Sequence, residues 1–130
     1  MNIVIDTSAL LTVILGEPER DAVVAATRSH ALIGPGSIPW EIGNAFSAMF
    51  KRNRIDLESA REGLEIFQSI PIRYIPTDFL NTLELVEETD MYAYDGYILD
   101  CAVRMNAPVL TLDKKLGRTC QGKGIEWMEV

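Results

Sequence analysis

Cysteine and histidine are scarce in this sequence, which has two cysteines and one histidine among 130 residues. Cys101 and Cys120 lie in no CxxC or Cys/His pattern, so a disulfide framework, a zinc site and thiol redox chemistry are disfavoured. We expect both thiols to be reduced and structural. His30 lies in a polar, loop-like stretch, where a surface position is favoured over a ligand or catalytic base.

Long hydrophobic runs are missing too, and none approaches the roughly 20 residues needed to cross a bilayer. No basic segment precedes the short apolar stretch Leu10 to Leu15, and Asp6 lies just before it, so no secretory signal is predicted. We expect a cytoplasmic protein without membrane contact. The motifs GxxxxGK[ST] and GxGxxG are absent, which disfavours ATPases and dinucleotide enzymes, and Ser8 has no evident histidine partner for serine-hydrolase chemistry.

Positive charge is also limited, with 12 Lys and Arg against 19 Asp and Glu and a formal net charge of -7. Such a balance disfavours a nucleic-acid partner, because Lys and Arg dominate affinity for phosphate backbones. The distribution weakens this objection, since most acids lie between Asp56 and Asp100 and fit solvated helix faces. The run 51–54 is basic, as expected either for a helix C-terminus or for a phosphate contact. A second basic group lies near the C-terminus and comprises Arg104, Lys114, Lys115, Arg118 and Lys123.

The alternation of apolar segments and breakers predicts an α/β fold. A length of 130 residues with 48% hydrophobic content suits a single domain, 1–130, with one core. Strands are predicted at 2–5, 31–33, 72–75, 109–112 and 125–129. Helices are predicted at 9–15, 18–28, 37–51, 57–69, 79–89, 95–105 and 114–120. Strands separated by helices indicate three layers, with a mainly parallel central sheet flanked by helices.

Apolar spacing predicts which helix faces point into the core. Helix 57–69 is expected to bury Leu64, Phe67 and Ile70. Helix 79–89 is expected to bury Leu80, Leu83 and either Val86 or Leu85. Helix 95–105 is expected to bury Ile98, Leu99, Ala102 and Val103.

Four acidic residues occupy comparable places in this pattern. Asp6 and Asp113 follow strands, while Glu41 and Asp95 fall in first helical turns. Sites in open parallel sheets form beyond the carboxyl ends of the strands, where these acids would converge. Each acid alone is equally explained as a turn or helix-start residue. Together they favour a hard divalent cation bound through oxygen, Mg²⁺ or Mn²⁺ rather than zinc, because clustered carboxylates otherwise repel one another. Such an ion, or a pair, activates water for attack on a phosphodiester.

The segments that contain these acids resemble, in order, the motifs of PIN-domain ribonucleases, in particular VapC-type toxins of toxin-antitoxin pairs. They read IVIDTSAL at 3–10, PWEIGNA at 39–45, YDGYILDCA at 94–102 and LTLD at 110–113. The likeness covers essentially the whole chain. It implies a PIN-like fold and an endoribonuclease that uses one or two Mg²⁺ or Mn²⁺ ions. The catalytic and metal-binding acids would be Asp6, Glu41, Asp95 and Asp113.

The resemblance also implies supporting residues and partners. Thr7 or Ser8, Asn44 and Thr111 match positions that support the acids by hydrogen bonding. The expected partners are a second copy of the chain, in a homodimer, and a VapB-like antitoxin whose C-terminal segment blocks the site. The expected RNA-binding residues at the mouth of the site are Lys114, Lys115 and Arg118.

Two residues near Asp95 carry separate expectations. Gly96 stands where the family usually has alanine, at a cost in helix propensity of roughly 0.5 to 1 kcal/mol. Asp100 lies about 140° around an ideal helix from Asp95. We therefore expect Asp100 to flank the cluster, with a solvated position favoured over a water-mediated contact to the metal.

Two other functions stay open at this point. A response-regulator-like signalling domain also clusters aspartates and binds Mg²⁺, but it needs paired early acids and a late lysine, where this chain has Thr7, Ser8 and Asp113. The third possibility is a PIN-like protein that processes RNA on its own, or that is inactive and only binds. The RNA target is not encoded in any recognisable motif.

Overall fold

Five short strands form one parallel sheet at the centre of the fold. The computed structural model describes residues 1–130, and its strands are β1 (Asn2–Ile5), β2 (Ala31–Pro35), β3 (Ile72–Ile75), β4 (Val109–Leu110) and β5 (Trp127–Met128). Their order in the sheet is β3-β2-β1-β4-β5, and every neighbouring pair is parallel. In the middle strand, Ile3 pairs with Leu32 of β2 and Ile5 pairs with Leu110 of β4. The predicted parallel sheet is confirmed.

Helices cover both faces of this sheet. They are α1 (Thr7–Ile14), α2 (Arg20–Thr27), α3 (Ile38–Lys51), α4 (Leu57–Ser69), α5 (Phe79–Thr89), α6 (Ala93–Met105) and α7 (Lys114–Gly122). Successive side chains of a strand point to opposite faces, so Val4 joins one apolar cluster while Ile3 and Ile5 join the other. Two clusters on opposite faces of one sheet give the predicted three layers. None of the helices has the length and apolar character that crossing a membrane requires.

Several element boundaries differ from the prediction for local reasons. Helix α1 begins at Thr7 because Asp6 is its N-cap and accepts a hydrogen bond from the Ala9 amide. Strand β4 ends at Leu110 rather than at 112, and the Leu112 amide donates to Ser8 Oγ instead of to a neighbouring strand. Strand β2 extends to Pro35, α2 begins only at Arg20, and β5 is confined to Trp127–Met128.

The expected inward faces of three helices are partly wrong. On α5, Leu85 is buried as expected, but Leu80 and Leu83 are 68% and 60% exposed, and Thr82 is buried instead. Leu64 of α4 and Val103 of α6 are also exposed. Apolar spacing shows that a helix has a hydrophobic stripe, but it does not show which face another element covers. The residues buried in place of the expected ones are small or polar and include Ala60, Gly63, Gly96 and Asp100.

Both cysteines are buried and unpaired, as expected. Burial raises the pKa of Cys101 to about 11 and that of Cys120 to about 12, so both are thiols at neutral pH. His30 is exposed, also as expected. These residues therefore belong to the core and the surface and supply no metal ligand.

Gly96 allows α6 to lie directly against α5. A Cβ atom at this position would be 2.4 Å from Val86 Cγ1 and 2.9 Å from Thr82 Cγ2. Both neighbours are β-branched and have restricted rotamers, so neither moves aside easily. The expectation that Gly96 costs only helix propensity is therefore incomplete, since the missing side chain is needed for packing.

We predict that Gly96→Ala destabilises the protein. Overpacking of about 1 to 3 kcal/mol outweighs the propensity gain of roughly 0.5 to 1 kcal/mol, so the free energy of unfolding in urea should fall by about 1 kcal/mol. Val86→Ala removes the clashing methyl, so Gly96→Ala should cost less in that background. A Gly96→Ala protein as stable as the parent would contradict this close packing.

Candidate active site

Asp6 is buried at the carboxyl end of β1 and uses both carboxylate oxygens. Its Oδ1 accepts hydrogen bonds from Ser8 Oγ at 2.6 Å and from the Ala9 amide at 3.1 Å. Its Oδ2 accepts from Thr111 Oγ1 at 2.6 Å. Burial raises the pKa of Asp6, the Ser8 and Thr111 hydroxyls oppose that shift, and the charge of Asp113 adds to it. The carboxylate is thus held in one orientation in a site that disfavours its charge.

Two hydroxyl groups join the end of β4 to the end of β1. Ser8 Oγ accepts a hydrogen bond from the Leu112 amide at 3.0 Å and lies 3.3 Å from Thr111 Oγ1. Thr111 Oγ1 accepts from the Asp113 amide at 3.0 Å. Of the predicted supporting pair, Ser8 contacts Asp6, whereas the Thr7 hydroxyl is buried beside Glu41 and lowers the pKa of that carboxyl without forming a well-aligned hydrogen bond.

Asp113 is the N-cap of α7, as Asp6 is the N-cap of α1. Its Oδ1 accepts hydrogen bonds from the Lys115 amide at 2.9 Å and the Leu116 amide at 3.2 Å. Asp113 is exposed, and its negative charge raises the pKa values of Asp6 and Asp95. The two acids that end neighbouring strands therefore lie within electrostatic reach of each other.

Glu41 lies in the first turn of α3, which follows the carboxyl end of β2. Its Oε1 is buried and has no hydrogen-bond partner. Burial, followed by the charges of Asp6 and Asp95, raises the pKa of Glu41 to about 7, and the neighbouring Thr7 hydroxyl opposes this shift. A buried oxygen without a donor is costly unless a proton or a cation satisfies it.

Asp95 lies in the first turn of α6 and is half-buried. Burial raises its pKa, the charges of Asp113 and Asp6 raise it further, and the nearby Lys115 opposes the shift. The charge of Asp95 in turn raises the pKa of Glu41, so electrostatic effects connect all four acids. The predicted quartet is brought to one end of the sheet.

The four acids do not form a ready-made coordination shell. No group of three or more His, Cys, Asp or Glu side chains lies close enough to hold a metal ion. The unsatisfied Glu41 oxygen and the raised pKa values of Asp6, Glu41 and Asp95 fit a site that gains from a hard cation.

Asp100 is not solvated, so the favoured expectation for this residue is wrong. It is 1% exposed, and Arg104 donates to it from Nε at 2.8 Å and from Nη2 at 2.9 Å. Asn81 Nδ2 donates at 2.8 Å and the Asp78 amide at 3.2 Å. Burial opposes its charge, but these donors hold the pKa of Asp100 below its ordinary value. With Arg104 also bound to the Pro76 carbonyl, Asp100 ties the start of α5 to α6.

The remaining candidates lie at the surface. Asn44 is exposed and makes no side-chain hydrogen bond to the acids, so the structure does not show the support expected of it. Lys114, Lys115 and Arg118 are exposed on α7, and only Lys115 affects the pKa of one of the acids. A cleft of about 700 Å³ begins beside Asp113. Its lining includes Leu11, Leu15, Met49, Arg52 and Lys114.

The sequence matches the PIN domain family over residues 3–122, a range that contains all four acids. The chain belongs to the PIN-domain family. Ribonuclease VapC9 of Mycobacterium tuberculosis is 25% identical to it over 123 residues, or 93% of each chain. The VapC ribonuclease Mb0985 of Mycobacterium bovis gives the same values.

Solved structures confirm the PIN fold. PAE2754 from Pyrobaculum aerophilum superimposes with a TM-score of 0.74 at 19% identity and covers 98% of this chain and 83% of that one. VapBC2 from Rickettsia felis, bound to a DNA fragment from its promoter, superimposes with a TM-score of 0.71 at 16% identity and covers 99% of this chain and 98% of that one.

In this PIN domain, the hydrogen-bond network around Asp100 is the feature that the sequence motifs do not predict. An Asp and an Arg spaced i, i+4 on one helix were the available signal.

We predict that metal-free protein loses stability between about pH 4.5 and pH 7. The pKa of Glu41 is raised from 4.5 to about 7, so the native state keeps its proton to higher pH than the unfolded chain does. Stability therefore falls as pH rises through this window, by about 1 to 3 kcal/mol once solvent screening of this partly buried group is included. Glu41→Gln should remove this contribution and stabilise the protein at pH 8 in EDTA. Urea unfolding of the parent and of Glu41→Gln at several pH values measures this pH dependence of the free energy of unfolding.

Glu65→Gln, at an exposed position on α4, is the matched control and should leave the pH profile unchanged. A Glu41→Gln profile parallel to that of the parent would show that Glu41 titrates normally.

Proposed function

We propose that this PIN domain is a metal-dependent endoribonuclease of the VapC type, which hydrolyses RNA phosphodiester bonds. The observation that carries the proposal is the fixed Asp6 carboxylate between β1 and β4, with Glu41, Asp95 and Asp113 close enough to shift pKa values in the site. The names of the VapC relatives support RNA as the substrate.

The residues that would hold the metal are Asp6, Glu41, Asp95 and Asp113. Their oxygen donors suit one or two Mg²⁺ or Mn²⁺ ions. When bound, such an ion supplies an activated water and stabilises negative charge on the departing oxygen. Asp100 has no place in this set, because Arg104 already balances its charge and because Asp100 is not among the charges that shift the pKa values of Asp6, Glu41 and Asp95.

The surrounding residues orient the acids and control their protons. Ser8 and Thr111 hold Asp6, and the α7 amides hold one oxygen of Asp113, so these ligands need little reorganisation. Glu41, with a pKa of about 7, is protonated in a large fraction of metal-free molecules at neutral pH. Ligands must be deprotonated to bind a cation, so occupation of the site releases the Glu41 proton.

Lys114, Lys115 and Arg118 would contact RNA phosphates beside the acids. All three are exposed on α7, whose first residues follow Asp113 directly. Since the net charge of -7 repels RNA at long range, these contacts act only locally.

The cleft beside Asp113 suits a peptide partner. Its walls include apolar Leu11, Leu15 and Met49, and the acids Glu17 and Glu19 lie along it. A segment with apolar and basic side chains complements this lining, and one of its Lys or Arg residues could neutralise the acids in place of metal. We assign this role to a VapB-like antitoxin, in keeping with the VapBC2 complex among the structural neighbours. The working unit would be a cytoplasmic homodimer of single-domain chains.

Other functions receive less support. Membership of the PIN-domain family disfavours a response-regulator-like signalling domain. A PIN-like protein that binds RNA without cutting it differs from the proposed enzyme in one measurable respect, which is metal-dependent cleavage.

Cleavage of RNA by the purified protein tests the proposal. We expect Mn²⁺ or Mg²⁺ to support endonucleolytic cleavage and EDTA to stop it. Asp6→Asn, Glu41→Gln, Asp95→Asn and Asp113→Asn should each lower kcat by roughly 100-fold or more, because each removes a ligand charge at the reacting centre. Glu65→Gln is the surface control. Metal-independent cleavage, or full activity in all four variants, would contradict the proposal.

A thermal shift separates metal ligands from bystanders. Asp95→Asn should raise the melting temperature of metal-free protein by relieving repulsion, yet shrink the rise that Mn²⁺ causes in the parent. Asp100→Asn should lower the melting temperature, because it disrupts a buried ion pair, and should keep most of the Mn²⁺-induced rise. An equal loss of that rise in both variants would make Asp100 a ligand.

A further inference from the structure

Exposed aromatic residues directly precede two of the four acids. Trp40 is 71% exposed in the first turn of α3, one residue before Glu41. Tyr94 is 51% exposed in the first turn of α6, one residue before Asp95. Both rings therefore lie at the helix ends that bring acids to the site.

The fold does not need the Trp40 ring for packing. Helix α3 buries Ile38, Ile42 and Phe46, which are spaced four residues apart on one face. Trp40 lies about 200° around the helix from Ile38, on the side facing solvent. An exposed tryptophan of this size presents an apolar surface that a partner would cover favourably.

Neighbouring rings position Tyr94. Its ring packs edge-to-face against Tyr97, with centroids 5.9 Å apart and planes at 81°. Tyr97 in turn packs edge-to-face against Phe79, at 5.9 Å and 85°. Tyr94 is thus held by an aromatic cluster while half of it stays accessible, so little conformational entropy is lost when a ligand covers it.

The negative net charge of the protein favours contacts with a nucleic acid that do not depend on phosphate charge. The net charge is -7, and the candidate site itself is acidic, so phosphate contacts supply limited affinity. Stacking of bases on aromatic side chains is independent of backbone charge and tolerates any base. Bases in a duplex have both faces covered, whereas unpaired bases are free to stack.

We infer that Trp40 and Tyr94 form a stacking surface for unpaired RNA bases next to the scissile phosphodiester. This inference rests on the proposed ribonuclease function and adds two RNA-positioning residues to its site. The two residues bind and position the RNA and take no part in the chemical step.

Steady-state cleavage of an unstructured RNA oligonucleotide tests this surface. Trp40→Ala and Tyr94→Ala should each raise KM by roughly 5- to 100-fold, the range expected for loss of one stacked base, with a smaller change in kcat. Trp40→Phe should restore most of the affinity, because a ring remains. Cleavage of a matched duplex should be slow and insensitive to these variants.

Phe50→Ala is the matched control. Phe50 is a partly exposed aromatic residue on the same helix, about 15 Å from Trp40 along the axis. This variant should keep the parent KM. Melting temperatures of all variants close to that of the parent would show that the KM changes do not arise from unfolding.

Fluorescence in EDTA, which keeps the RNA intact, gives a second readout. Single-stranded RNA should quench the emission of the parent and leave that of Trp40→Phe unchanged. The remaining Trp127 is the reference, because its indole is partly buried and donates to the Thr111 carbonyl at 3.1 Å. RNA-induced quenching confined to Trp40 supports the stacking surface even if the parent proves unable to cleave, in which case only the proposed catalytic function fails.

Two results would overturn the inference while leaving the ribonuclease function intact. One is cleavage of single-stranded RNA with parent KM by both Trp40→Ala and Tyr94→Ala. The other is unchanged KM together with a smaller particle in size-exclusion chromatography, which would show that these rings contact a second copy of the chain.

Discussion

The structure depends most on the hydrogen bonds of one buried carboxylate. Asp6 accepts from Ser8, the Ala9 amide and Thr111, so it joins β1, the start of α1 and the end of β4. Since β1 is the middle strand of the sheet, this group lies where the two halves of the fold meet. The Leu112 and Asp113 amides are tied to the same hydroxyls, which fixes the chain that leads into α7.

Local folding and the candidate chemistry use the same groups. Asp6 and Asp113 cap helices, and the helix dipole favours negative charge at those positions. Burial and mutual repulsion act in the opposite direction and raise the pKa values of Asp6, Glu41 and Asp95. Helix caps thus bring acids together that would otherwise separate. The resulting site is poised between taking up protons and taking up a cation.

The sequence correctly predicts the parts of the fold that local interactions determine. Helices α4 and α5, which begin at the caps Asp56 and Asp78, have the predicted bounds, and so does β3. The prediction of element bounds is wrong where contacts between distant segments determine them. Strand β4 ends early because the Leu112 amide binds Ser8, which lies 104 residues away in the chain. The covered face of α5 depends likewise on how α6 packs at Gly96.

The candidate site also has one part that the sequence predicts and one part that depends on contacts between distant segments. Acids at strand ends and helix starts are visible as a pattern, because they follow directly from element boundaries. The buried, unpartnered Glu41 oxygen and the donors around Asp100 arise from tertiary packing, which no spacing rule describes. The helical angle alone therefore predicts a solvated Asp100, whereas in the structure the start of α5 covers this residue.

Proton release on Mn²⁺ binding is the most direct test of the central claim, that a divalent cation occupies this acidic site and displaces the proton of Glu41. Isothermal titration calorimetry in buffers of different ionisation enthalpy measures it. Near pH 6.5 the parent should release a substantial fraction of a proton per bound ion, because the pKa of Glu41 is about 7, and this release should decline above pH 8. Glu41→Gln should release clearly less. Failure to bind Mn²⁺, or binding with no proton release from pH 6 to 8, would contradict the account.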